Sequence, residues 1–67
     1  MYENLPLNFD NIASVYMSVF GSYPPVIANV EPNNVTYLEI LRNAIINNKP
    51  VTRDELLLHF ANGKFNQ

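Results

Sequence analysis

A chain of 67 residues has room for one small domain, and 48% hydrophobic against 15% charged residues is the balance of a folding chain, which sets aside disorder as its overall state. The absence of cysteine excludes disulfides, Cys-ligated zinc, iron–sulfur clusters and thiol catalysis, so stability has to come from packing alone. The cations Arg42, Lys49, Arg53 and Lys64 stand apart from one another, and the net charge is −2, so no basic stretch is available to neutralise nucleic-acid phosphates.

Residues 1–67 read as a single small all-α domain of three helices, over about 9–20, 37–47 and 53–61, with an extended Pro-containing connector over 21–35 between helix 1 and helix 2. In the first helix Phe9, Ile12, Ala13, Tyr16, Met17 and Phe20 follow the spacing of one helical face, opposite Asp10, Asn11, Ser14 and Ser18. Asn8 is the expected N-cap, Leu7 and Ile12 bracket it as a hydrophobic staple, and Asp10 sits where the helix dipole favours an anion. Gly21 supplies a left-handed stop. Val15 and Val19 flank the stripe and widen it towards a second covered side.

The connector holds Pro24, Pro25 and Pro32, which remove backbone donors and push the residues before them towards extended conformations. Val26, Ile27 and Val30 are β-branched and suit a short edge strand, but no second strand is on offer, so the segment is expected to pack as an extended strap. Tyr23-Pro24-Pro25-Val26 lacks the spacing of a polyproline ligand and reads as a turn with a buried tyrosine.

Helices two and three announce themselves alike. Thr36 stands three residues before Glu39, and Thr52 three before Glu55, so each pair can cap a helix reciprocally, with staples from Val35/Ile40 and Val51/Leu56. Helix two then places Tyr37, Leu38, Ile40, Leu41, Ala44 and Ile45 on one arc and Glu39, Arg42, Asn43 and Asn47 on the other. Asn47 and Asn48 suit a left-handed cap, and Pro50 prevents continuation. Helix three carries Leu56, Leu57, Leu58, Phe60 and Ala61 over roughly 200° of its circumference, about twice what one core contact needs. Gly63 is its expected stop, with Lys64 to Gln67 as a tail.

Chemistry-bearing residues are few. His59, the single histidine, lies one helical turn after Glu55; zinc needs three or four ligands, so the pair reads as a solvent-facing i, i+4 contact. The serines form no nucleophile elbow, the threonines are spent as caps, and two glycines cannot make a phosphate-binding loop. No catalytic, cofactor-binding or metal site is therefore expected, and no small-molecule substrate. The longest apolar runs fall far short of the roughly 20 residues a bilayer span requires. Met1-Tyr2-Glu3-Asn4 has no positive charge and does not start like a signal peptide, so a cytoplasmic location is expected. Eleven asparagines fit an AT-rich coding genome, such as that of a phage or a low-GC bacterium.

The segment from Tyr37 to Phe60, with an apolar helix, a short turn ending at Pro50 and a Thr-capped second helix, resembles the first two helices of a helix-turn-helix domain. That resemblance covers about a third of the chain and implies a following helix to enter the major groove. Only Phe65, Asn66 and Gln67 stand where it would begin, so nucleic acid is not the expected partner. The surplus of apolar surface points instead to a non-enzymatic protein-interaction or assembly module, forming a homodimer or docking on a larger protein. Its candidate partner-binding residues are Val15, Val19, Leu57, Leu58 and Phe60. The alternative is a small accessory regulator of nucleic-acid transactions that binds DNA weakly or binds a DNA-acting protein.

Overall fold

A computed structural model describes residues 4–27 and 30–61. Three helices follow one another, α1 (Phe9–Phe20), α2 (Val35–Asn47) and α3 (Arg53–Ala61), and the described residues contain no strand. The fold is the expected all-α one. At 37 × 19 × 18 Å the body is only two helix diameters thick, each about 10 Å, so its core is one seam between α1 and α2 closed at one end by α3. Ile12 and Tyr16 meet Tyr37, Leu38, Leu41, Ala44 and Ile45 in that seam, and Leu56 and Phe60 enter it from α3.

Both ends of α1 are built as expected. The Asn8 side chain accepts the Asn11 amide at 3.0 Å, and Gly21, at φ 82°, returns its amide to the Met17 carbonyl at 2.8 Å. The buried arc is rotated relative to the expected one. Ile12, Ala13 and Tyr16 are buried, with Phe9, Val15, Val19 and Phe20 half-buried around them, whereas Met17 is 45% exposed. Met17 lies about 100° from Tyr16 on the helical wheel, at the edge of the stripe, and Val15 and Val19 occupy the side turned towards the core.

The start of α2 differs from the expectation. Asn34, not Thr36, is the N-cap: its side chain accepts the Tyr37 amide at 3.1 Å, and its carbonyl takes the Leu38 amide at 2.9 Å. A turn delivers it there, since the Asn34 amide donates to the Glu31 carbonyl at 3.0 Å. Starting two residues early adds helical hydrogen bonds that a Thr36 cap would forgo, and the cost is an exposed Val35 in place of a staple. At the other end Asn48 takes the left-handed conformation, φ 55°. Its amide reaches Ile45 at 3.1 Å and the Lys49 amide reaches Ala44 at 2.9 Å, which closes the helix as a Schellman motif. The α3 cap is the reciprocal one: the Glu55 amide donates to Thr52 Oγ1 and the Thr52 amide to Glu55 Oε1, both at 3.1 Å.

Within the connector the Val30 amide donates to the Ile27 carbonyl at 3.2 Å, residues 31–34 form the turn that leads into α2, and no described residue over 21–34 is in a helix or strand. Tyr23 is not the buried tyrosine of that segment. It is 71% exposed, and Pro24 behind it is buried. After the Gly21 reversal, the apolar prolyl ring turns inward and the amphipathic phenol outward. Gly63 and the tail over 64–67 lie outside the described residues.

Candidate functional site

Two tyrosine hydroxyls tie the irregular segments to the helices. Tyr16 on α1 faces the loop before α3, donating to the Val51 carbonyl at 3.4 Å and accepting the Val51 amide at 3.1 Å. Tyr37 on α2 donates to the Pro25 carbonyl at 2.6 Å. Burial pushes its phenol up to about 12, and the charge of Tyr16, were both ionised, adds repulsion. The rings are packed as well: Phe9 stacks on Tyr37 at 6.3 Å, and Phe20 tilts against Tyr16 at 4.6 Å. Asn33 Oδ1 accepts the Phe9 amide at 2.9 Å, which pins the end of the connector to the start of α1. These tyrosines are latches. Each hydroxyl is hydrogen-bonded to backbone of an irregular segment.

Asn8, Asn33, Asn34 and Asn48 thus each satisfy or reverse backbone at a helix end, giving a physical use to part of the asparagine load. Arg42 is half-buried on α2 and donates through a guanidinium nitrogen to the Leu5 carbonyl at 3.4 Å, tying the N-terminal extension to the seam. Lys49 and Arg53 are exposed, and Lys64 lies outside the described residues, so no basic face is assembled among the described residues. Glu55 spends one carboxylate oxygen on the Thr52 amide, and the His59 ring lies edge-on to Phe60 at 5.4 Å. Among the described residues no group of three or more His, Asp or Glu side chains could hold a metal ion, and no helix is long and apolar enough to cross a membrane.

The residues singled out for partner contact separate into two sets. Val15 and Val19 pack against the core of their own chain, and Phe60, 8% exposed, is part of that core. Those three are drawn inward. Leu58, 68% exposed, lies on the side of α3 opposite Leu56 and Phe60, and Leu57, 38% exposed, lies on the flank between the two sides. The described part of the connector is tied instead to α2 and α1, its Pro25 carbonyl by Tyr37 and its Asn33 by the Phe9 amide. Sequence reasoning gave Phe60 to the partner surface because periodicity reports the width of an apolar arc, not which edge of it meets the core. The missed residues are the latching tyrosines, whose hydroxyl partners carry no periodic signal.

No family model matches the chain, and neither does any curated protein or solved structure.

Proposed function

We propose that this chain is a small non-enzymatic interaction module whose docking element is the outer side of α3. The observation that carries the reading is the pair of leucines left in solvent on a helix that has already placed Leu56 and Phe60 in the core. Soluble domains tolerate scattered apolar residues, but adjacent large ones on a short helix are a surface on which a partner gains burial.

The size of that gain sets the kind of contact. Leu57 and Leu58 together leave about one leucine side chain uncovered, and burying it contributes about 1.5–3 kcal/mol. A symmetric dimer makes the contact twice, about 3–6 kcal/mol, against an association cost of about 4–15 kcal/mol. The two leucines alone therefore leave at most about 2 kcal/mol, short of the roughly 4 kcal/mol of a millimolar dimer, so the proposed dimer is weak and reversible and also buries apolar surface beside them. A larger partner could extend the contact over neighbouring surface. A cytoplasmic site of action belongs to the same proposal.

Sedimentation equilibrium up to about 1 mM tests the self-association directly. The expected result is a mass that rises with concentration in the native chain and stays monomeric in Leu58→Glu, with helicity unchanged. A native chain that is strictly monomeric throughout the range would overturn it.

A further inference from the structure

No further inference is drawn: the strongest candidate, the open cleft between the C-terminal end of α2 and the start of α3, lined by Ile40, Asn43, Ala44, Lys49, Val51 and Glu55, holds no buried polar side chain that identifies what would fill it, and Glu55 is already engaged in capping α3.

Discussion

The α1–α2 pair and α3 solve the same problem with different completeness. In α1 and α2 the large apolar residues that face the seam are covered by the other helix, and the tyrosines at its margins have their hydroxyls bound by the chain's own backbone. Helix α3 docks through Leu56 and Phe60, is tethered at Val51 by Tyr16, and leaves Leu57 and Leu58 outside. A nine-residue helix is too short to persist alone in water, so α3 depends on those inner contacts for its existence. Its outer leucines contribute nothing comparable within the chain. Apolar residues that stabilise the fold and apolar residues available to a partner therefore sit side by side on one helix, and substitution should tell them apart.

The largest contrast is between Leu56 and Leu58. Leu56 is wholly buried, so Leu56→Ala is expected to cost about 2–5 kcal/mol, enough to unfold much of so small a domain, whereas Leu58→Ala should stay within about 0.5 kcal/mol. Urea denaturation followed by circular dichroism reads both. Equal losses would show that the two leucines share one environment and would break the division of α3 into an inner and an outer side.

A second contrast uses pH. The Tyr37 phenol is held neutral in the fold, with its pKa raised to about 12 from the ordinary 10.0. Its contribution is complete below pH 10 and is lost as pH rises through 10 towards 12, by up to about 2–3 kcal/mol, because the unfolded chain releases that proton more readily. The native domain should lose stability across that window, and Tyr37→Phe, less stable at neutral pH by about 1 kcal/mol for want of its hydrogen bond, should lose less on going alkaline. An unchanged alkaline slope in Tyr37→Phe would contradict the burial of that phenol in the fold.

Helix caps give smaller effects, and they discriminate between sequence and structure. Asn34→Ala and Thr52→Ala should each cost about 1 kcal/mol, while Thr36→Ala, inside the first turn of α2, should change stability by less than about 0.5 kcal/mol. If Thr36→Ala proved the costlier of the two α2 substitutions, the helix would start where its Thr–Glu pair suggests. At the bottom of the scale, duplex DNA at physiological salt should show no salt-sensitive shift in a gel, since four cations scattered along the sequence stand against six anions.

How much of this was legible beforehand differs between the elements. The three helices, the Asn8 and Thr52 caps and the Gly21 and Asn48 stops were readable because each rests on neighbours within four residues in the chain. The α2 start was misread because two local signals, Asn34 and the Thr36–Glu39 pair, overlap. What favours the earlier one is the Glu31–Asn34 turn and the anchoring of Asn33 to the Phe9 amide, 24 residues away. The tyrosine latches span 35 and 12 residues and end on irregular backbone, which leaves no trace in periodicity. For the candidate surface, the sequence marked α3 as too apolar for one contact. Which leucines faced outward depended on how α3 leans on the seam, a tertiary outcome that placed Leu56 and Phe60 inside.

The most direct test of an outward-facing docking side on α3 is a dilution series of proton–nitrogen correlation spectra from about 1 mM downwards, the range in which the proposed weak dimer would dissociate. Concentration-dependent shifts are expected at Leu57, Leu58 and the adjoining turns of α3, with the α1–α2 seam unmoved. Spectra that are identical at every concentration, or shifts centred on α1 and α2, would contradict it.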